Sequence, residues 1–414
     1  MMSHYNVLII GAGTAGIMVA AQLKKKGITS IGLIDPADTH YYQPAWTLVG
    51  AGAYNHKKTA RSMKSVIPSG VDWIQDFVEK LNPKKNQVST RGKNNYSYDY
   101  LVVAPGLVYD LSMVEGLEEA LENGIVCSNY INPEETWKQL QNFKGGTALF
   151  TQPTTPIKCG GAPQKIMYLG ESHFKKSNVR NNTNVVFATN GGVIFGVKQI
   201  AETLMNVVNR KDINLRFGHQ LKKIDPVKKI AWYALGDNHK EHNHKPIKTH
   251  EKGGLVGIEF DFLHTAPPSV APAFIQNSIL SNQSGWMEVD HKSMQHPQFS
   301  NVFGLGDVAA LPTAKTGAAI RKQAPIVVDN ILKLMKDNTI GQMEYNGYSS
   351  CPLVTDYGKM VLAEFDYDNN FIPDPKLKQM LIRDSAKEHW RLWLLKKYML
   401  PYLYWNKMMK GKAV

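Results

Sequence analysis

The sequence predicts an α/β protein with two Rossmann-like, doubly wound domains, followed by C-terminal amphipathic helices that bind a membrane surface. Three observations predict this fold class. A strand, a glycine loop and a helix open the chain, apolar strands alternate again with helical segments in its middle, and the C-terminal segment mixes Trp, Tyr and Leu with Lys. The length of 414 residues is enough for two or three packed units.

The first element is a dinucleotide fingerprint. An apolar strand over residues 7–10 leads into a Gly-x-Gly-x-x-Gly loop at Gly11, Gly13 and Gly16, and the next strand ends at Asp35. Gly11 permits the tight turn, Gly13 lets the backbone approach a pyrophosphate, and Gly16 lets the helix pack on the strand. The helix N-terminus stabilises phosphate charge, and Asp35 can bind ribose hydroxyls. The alternative, a glycine turn without function, is disfavoured by this ordered context.

Two later segments decide which dinucleotide the fingerprint serves. Residues 98–106 form a strand ending in a small-residue turn, and residues 301–307 form another that closes on Gly-Asp before a helix around 316–336. Together they resemble flavoproteins with two domains of the FAD/NAD(P)-binding type. That resemblance implies FAD rather than NAD at the first site.

The middle segment predicts a second Rossmann-like domain without a nicotinamide fingerprint. Its strand at 146–151 runs into prolines where glycines should let the backbone meet a phosphate. After the strand at 185–189 glycines are present, but at the wrong spacing. Electrons must therefore enter the flavin by a route other than bound NAD(P)H.

The chain has three cysteines, Cys127, Cys159 and Cys351, and no Cys-x-x-Cys pair. This excludes a disulfide-rich secreted scaffold and disfavours a zinc–thiolate site. Cys159 follows Lys158 and precedes a helical run, which predicts a lowered thiol pKa. In a two-domain flavoprotein the segments of Cys159 and Cys351 can converge on one face of the isoalloxazine. A buried, inert thiol is the alternative for each, and for Cys127 we favour it.

Four strings resemble the sulfide:quinone oxidoreductase family, in its mitochondrial-like branch, and the resemblance spans nearly the whole chain. They are residues 41–50 (YYQPAWTLVG), 156–169 (PIKCGGAPQKIMYL), 311–316 (LPTAKT) and 350–355 (SCPLVT). The strings that carry the cysteines are long and unlike those of neighbouring flavoproteins. A type II NADH:quinone dehydrogenase is the alternative, and the missing second fingerprint argues against it.

The resemblance implies that Cys159 and Cys351 are a redox pair, joined in the resting enzyme by a disulfide or a sulfur bridge. Hydrogen sulfide would leave a persulfide on Cys159 and a thiolate on Cys351, which would face the flavin. The sulfane sulfur would pass to an acceptor, which is a small thiol, sulfite or sulfide, and the electrons would pass to a membrane quinone.

The motifs and the resemblance together give a set of expected FAD contacts. Gln43 and Val78 are expected along the ADP half, and Gln164, Asp307 and Lys315 near the flavin, where a cation stabilises the reduced ring. The full set is Gly11, Gly13, Ala15, Gly16, Asp35, Gln43, Val78, Ala104, Gly106, Gln164, Gly306, Asp307 and Lys315.

The expected architecture has three parts. Residues 1–115 and 290–340 form a discontinuous FAD-binding domain, residues 116–289 form the second Rossmann-like domain, and residues 341–414 carry Cys351 and the membrane-surface helices.

In the C-terminal part, Trp390, Trp393 and Leu394 fall on one helical stripe, and Pro401 is expected to break the segment into two short helices lying on a bilayer. A core or dimer helix is the alternative, and a homo-oligomer is possible. The net charge of +13 favours anionic lipid headgroups.

The absence of certain motifs limits which partners, metal sites and cellular locations are expected. No nucleic-acid-binding motif accompanies the positive charge, so no nucleic-acid partner is expected. His239, His242, His244 and His250 read as a solvated hairpin tip rather than a metal site. No apolar run is long enough to span a bilayer and no presequence is seen. The expected location is therefore the surface of a bacterial cell membrane, on a side that the sequence does not give.

Overall fold

The computed structural model describes residues 2–243 and 245–413, so His244 lies outside the described residues. The strands are β1 Ser3–Ile10, β2 Ile31–Ile34, β3 Thr39–Tyr41, β4 Ala60–Ser62, β5 Asp72–Ile74, β6 Val78–Asn82, β7 Gln87–Thr90, β8 Asn95–Val103, β9 Val108–Tyr109, β10 Gly146–Gln152, β11 Thr183–Thr189, β12 Asn214–Asp225, β13 Ile230–His242, β14 Thr249–Lys252, β15 Leu255–Glu259, β16 Phe262–Thr265, β17 Ser269–Val270, β18 Gln295–His296, β19 Phe299–Gly304, β20 Ser349–Asp356 and β21 Lys359–Phe365.

The helices connect and cover these strands. They are α1 Thr14–Lys25, α2 Trp46–Val49, α3 Met63–Val66, α4 Leu117–Glu122, α5 Pro133–Asn142, α6 Ala162–Lys176, α7 Lys198–Lys211, α8 Ala273–Gln276, α9 Gly317–Asp337, α10 Trp390–Leu394 and α11 Leu400–Asn406.

The first sheet has the strand order β18-β19-β8-β1-β2-β5, and β6 and β7 extend it beside β8. The strands from β19 to β5 are parallel. Their centres are continuous apolar runs because both faces are covered, as in residues 7–10 of β1. The carboxyl ends of β1, β8 and β19 meet at one edge, which brings the glycine loop, the turn after β8 and the Gly-Asp turn together.

The second sheet has the order β14-β15-β13-β12-β11-β10-β16. Its strands from β12 to β16 are parallel, and β13, β15 and β14 are added as antiparallel hairpins. The two sheets confirm the prediction of an α/β fold with two dinucleotide-binding-like units. The histidine-rich stretch lies in the exposed β13–β14 region, where His250 pairs with Glu259. Among the described residues, no group of three or more His, Cys, Asp or Glu side chains is placed to hold a metal ion.

The chain after α9 forms a hairpin and then a long helical segment. The β20–β21 hairpin carries Cys351 and packs against α6. Residues 390–406 are helical throughout, because a π-helical turn at Leu395–Met399 joins α10 to α11. The expectation that Pro401 breaks the segment is therefore wrong. Pro401 lies at the start of α11, and the widened turn before it accommodates a residue without an N–H.

Candidate active site

A cavity of about 800 Å³ opens at the carboxyl edge of the first sheet. Its wall combines the glycine loop, the turns after β8 and β19, the segment around Cys159 and the C-terminal helical segment. Most of the residues expected at the site line it: Gly13, Ala15, Asp35, Gln43, Ala104, Gly106, Cys159, Gly306, Asp307 and Lys315.

The glycine loop is shaped by close backbone approaches. A Cβ on Gly11, whose φ is +97°, would lie 2.3 Å from the carbonyl oxygen of Ala104, and one on Gly16 would lie 1.8 Å from that of Gly11. A Cβ on Gly13 would meet nothing within 4 Å. Gly11 and Gly16 therefore shape the loop from behind, whereas Gly13 leaves open space on its cavity side.

Asp35 ties the end of β2 to this loop. Its carboxylate accepts hydrogen bonds from the backbone N–H groups of Ala12, at 2.6 Å, and Ala37, at 2.8 Å. Burial raises the pKa of Asp35. The carboxylate still lines the cavity, so its remaining lone pairs can accept from hydroxyl groups of a ligand. With the open face of Gly13 and the N-terminus of the twelve-residue α1, these residues fit the pyrophosphate and ribose of a dinucleotide.

Cys159 and Cys351, far apart in the chain, meet at the base of the cavity with their sulfurs 3.5 Å apart. Cys159 lies just before α6, and Cys351 lies in β20, which packs on that helix. Gly161 permits the approach, because a Cβ there would lie 2.5 Å from the sulfur of Cys351. Cys159 itself has a left-handed backbone with φ +54°, a conformation that costs energy for a non-glycine residue and concentrates at functional sites.

The two thiols differ in electrostatics. The hydrogen bond from Cys351 and the Nζ of Lys165, 3.0 Å from the sulfur of Cys159, hold the pKa of Cys159 well below its usual range. The hydrogen bond to Cys159, together with burial, raises the pKa of Cys351. In the reduced pair these effects favour the negative charge on Cys159 over Cys351.

Lys165 is the cation at the cysteine pair, and Lys158, expected from the sequence, is not. The Nζ of Lys158 donates instead to the side-chain oxygen of Gln43 at 3.2 Å. Lys165 lies in the first turn of α6, and helical side chains lean toward the N-terminus of their helix, here toward Cys159. That geometric rule is a sequence signal that could have identified Lys165.

A second buried lysine comes from the C-terminal helical segment and was missed by the sequence analysis. Lys396 lies in the π-helical turn, is 3% exposed and lines the cavity. Its Nζ donates to the carbonyl oxygen of Pro44 at 2.9 Å. Burial, followed by repulsion from Lys165, lowers the pKa of Lys396 to about 7. Only the packing of the C-terminal segment against the rest of the chain brings it here.

Lys315 lines the cavity, but its ammonium group is held by backbone. It donates to the carbonyl oxygens of Asp307, at 2.5 Å, and Ala309, at 3.0 Å, and lies 4.2 Å from the centre of the Trp286 ring. Burial lowers its pKa to about 8. Lys315 also fixes the cysteine loop, since its carbonyl accepts the N–H of Cys159.

Besides Gly11 and Gly16, three expected residues do not line the cavity. Val78 begins β6 on the sheet extension, and the amide of Gln164 is buried and donates to the carbonyl of Ile194 at 2.6 Å. Contact of these two residues with the cofactor stays a prediction. Cys351 is 2% exposed and lies behind Cys159, so which cysteine faces a flavin stays a prediction. Cys127 is buried, and burial raises the pKa of its thiol, as for an inert core cysteine.

The C-terminal helical segment exposes an apolar stripe, but the residues that form it differ from those expected from the sequence. Trp390, Leu394, Tyr398 and Tyr402 recur every four residues and are exposed, whereas Trp393 is buried in the core. Leu395, Met399, Leu400 and Leu403 of the same segment line the cavity. None of the helices formed by the described residues is long and apolar enough to cross a bilayer.

The fold and the site define a class of protein: an α/β flavoprotein fold with two dinucleotide-binding-like sheets and a cysteine pair in the cleft. Residues 5–144 match the pyridine nucleotide-disulphide oxidoreductase family. The chain is 41% identical to the mitochondrial sulfide:quinone oxidoreductase of Mus musculus, covering 99% of this chain and 87% of that one. It is 36% identical to the mitochondrial sulfide:quinone oxidoreductase of Dictyostelium discoideum, covering 98% of this chain and 86% of that one. The chain therefore belongs to the sulfide:quinone oxidoreductase family.

A solved structure agrees with this assignment at the level of the fold. The sulfide:quinone oxidoreductase of the bacterium Aquifex aeolicus superposes with a TM-score of 0.78 at 19% identity, covering 99% of this chain and 92% of that one. Family membership removes the alternative of a type II NADH:quinone dehydrogenase. Because the two relatives at 41% and 36% identity are both named as mitochondrial, the expectation of a bacterial membrane has no support.

Proposed function

We propose that this protein is an FAD-dependent sulfide:quinone oxidoreductase that works at a membrane surface. The observation that carries the proposal is the pair of sulfurs 3.5 Å apart at the base of the dinucleotide cavity, with Lys165 beside one of them. A disulfide needs a sulfur separation of about 2.05 Å, so a small shift of either side chain would join the pair.

The chemistry of the pair is thiol–disulfide exchange. HS⁻ attacks one sulfur of the oxidised pair, the S–S bond breaks, and the products are one cysteine persulfide and one cysteine thiolate. Transfer of the sulfane sulfur to an acceptor leaves both cysteines reduced, and two electrons must leave to restore the disulfide. FAD, when bound, would supply an acceptor for these two electrons that a quinone can reoxidise.

Lys165 is placed to stabilise negative charge on the sulfur that Cys159 carries, whether this is a thiolate or the outer sulfur of a persulfide. Cys159 is also the member of the pair that lines the cavity. A persulfide on Cys159 would therefore be open to a sulfane-sulfur acceptor, which supports the assignment implied by the family resemblance.

The dinucleotide would be held by the open face at Gly13, the carboxylate of Asp35 and the turn at Gly306 and Asp307. The exposed stripe of the C-terminal segment would rest in the headgroup region of a bilayer, where Trp and Tyr are favoured. Because the opposite side of that segment lines the cavity with Leu and Met side chains, an apolar quinone would have a path from the lipid to the site.

The test is anaerobic addition of sulfide to the purified flavoprotein while its visible spectrum is recorded. Wild type should lose its oxidised-flavin band, and a quinone analogue should restore it. Cys159→Ser and Cys351→Ser should not respond, whereas Cys127→Ser, which alters a buried thiol outside the pair, should behave as wild type. Bleaching by NADH without any response to sulfide would overturn the proposal.

A further inference from the structure

The C-terminal segment does more than provide a surface for the membrane, because it is tied to the dinucleotide loop. We propose that residues 400–411 are a strap that retains the dinucleotide, and that Tyr404 is its positioning residue. The inference rests on the proposed function only in taking FAD as the dinucleotide.

The contact lies at the buried hydroxyl of Tyr404. This hydroxyl is 2.6 Å from Nε2 of His40 and 2.8 Å from Oγ1 of Thr14. Thr14 belongs to the glycine loop and lines the cavity, as Tyr404 does. The other ring nitrogen of His40, Nδ1, is 3.0 Å from the carbonyl oxygen of Ala12, which belongs to the same loop. One phenol therefore reaches the loop at two points, directly and through His40.

The direction of these hydrogen bonds follows from the acceptors. The carbonyl of Ala12 can only accept, so Nδ1 of His40 carries a proton. Burial lowers the pKa of His40, which favours the neutral ring, and Nε2 is then an acceptor. Tyr404 donates to Nε2, and the hydroxyl of Thr14 donates to the oxygen of Tyr404. Replacing the phenol by a phenyl ring would leave the buried Nε2 of His40 and the half-buried hydroxyl of Thr14 without this partner.

The strap is packed firmly into the first sheet's unit, beside helix α1. Tyr404, Trp405, Met408 and Met409 lie in the apolar core that contains α1. The guanidinium of Arg61 lies 4.2 Å from the centre of the Trp405 ring. A Cβ on Gly411 would lie 2.8 Å from the backbone of Ala21, so the strap runs close along α1. Its inner side chains Leu403, Tyr404 and Met408 line the cavity.

This arrangement couples the retention of the dinucleotide to the docking of the strap. The dinucleotide can leave the cleft only if the glycine loop or the strap moves. Tyr404 holds the loop and the strap together. A role in packing alone would survive in Tyr404→Phe, which keeps the ring and removes only the hydroxyl. The rate of FAD release separates the two roles, because it reports on the loop without requiring turnover.

The experiment dilutes the holoenzyme and follows the rise in fluorescence of free FAD. Tyr404→Phe should release FAD roughly tenfold faster than wild type, as expected for the loss of one buried hydrogen-bonded group. The matched control is Tyr402→Phe, which removes an exposed hydroxyl from the same helix and should leave the release rate unchanged. Thr14→Val should also accelerate release, and Thr14→Ser should restore the wild-type rate.

The double variant Thr14→Val/Tyr404→Phe decides whether the two residues act together. If Tyr404 acts through Thr14, the double variant should release FAD no faster than the faster single variant. A wild-type rate in a folded Tyr404→Phe, or multiplicative effects in the double variant, would overturn the strap. Thr14→Val provides the same test if Tyr404→Phe does not fold. A wild-type protein that binds no FAD would overturn the proposed function itself.

Discussion

The ammonium group of Lys165 lies 3.0 Å from the sulfur of Cys159 at the base of the cavity, where Lys165 is buried and Cys159 is half-buried. The ammonium group of Lys165 stabilises negative charge on the sulfur of Cys159, which lies just before helix α6. The sulfur gains a lowered pKa because the cation and the hydrogen bond from Cys351 both favour the thiolate.

Lys165→Met should raise the pKa of Cys159 in the reduced protein, because an adjacent opposite charge that favours the thiolate is lost. Because the folded pKa is depressed, the thiolate persists to lower pH in wild type than in the variant. The measurement is the pH dependence of Cys159 alkylation by iodoacetamide, followed by peptide mass spectrometry. Lys158→Met is the control, since its ammonium group contacts Gln43. Equal profiles for wild type and Lys165→Met would contradict the assignment.

Lys211→Met should destabilise the framework that brings the two cysteines together. The Nζ of Lys211 lies 2.7 Å from Glu171 of α6, which is fully buried, and 3.4 Å from Asp356, which ends the strand of Cys351. Loss of the cation leaves a buried carboxylate with Arg180 as its nearest remaining partner, at a cost of about 3 kcal/mol in the free energy of unfolding.

Urea denaturation measures this cost. Lys138→Met, which breaks a surface pair with Glu135, is the matched control and should leave the unfolding midpoint almost unchanged. The double variant Glu171→Gln/Lys211→Met should recover part of the loss, because the buried side chain at position 171 then carries no charge. A Lys211→Met midpoint equal to that of the control would show that the network does not stabilise the fold.

Leu394→Glu/Tyr398→Glu should release the protein from lipid vesicles. Both side chains lie in the exposed stripe, so the substitutions place charge where apolar contact with the bilayer is proposed. The measurement is co-sedimentation with vesicles of mixed zwitterionic and anionic lipids, and the bound fraction should fall by roughly tenfold or more. Val227→Glu, at a more exposed apolar position in the β12–β13 turn, should leave binding unchanged. Unchanged binding of the double variant would disprove a membrane role for the stripe.

The parts of this molecule that the sequence predicts are those encoded locally. The glycine fingerprint and Asp35 occur within one strand–helix–strand unit, and each glycine has a backbone reason that one chain segment reveals. Cys159 and Cys351 were paired through the family resemblance, because 192 positions separate them and no local pattern fixes their distance.

The parts that the sequence analysis missed depend on direction and packing. The sequence neighbour Lys158 was chosen as the cation of Cys159, but α6 directs Lys165 there instead. No local sequence pattern predicts the burial of Lys396, since that burial depends on the C-terminal helical segment packing against the cavity. The same packing buries Trp393 and leaves Trp390 exposed, although a helical stripe alone placed them together.

The pH dependence of stability should contain a contribution from Lys396. Its folded pKa is about 7 because it is buried, whereas an unfolded lysine titrates near 10.4. Between these values the unfolded state binds more protons, so the free energy of unfolding gained from this group rises with pH, by at most about 1.4 kcal/mol per unit. Below pH 7 both states are protonated, and the full penalty for burying the charge remains.

Lys396→Met removes that penalty, so the variant should be more stable than wild type at pH 6, and the difference should shrink toward pH 10. The measurement is urea denaturation at pH 6, 8 and 10, with Lys397→Met as the control for loss of one lysine from the same turn. A wild-type minus variant difference that stays constant with pH would show that Lys396 is not held in the low-polarity environment that the structure describes.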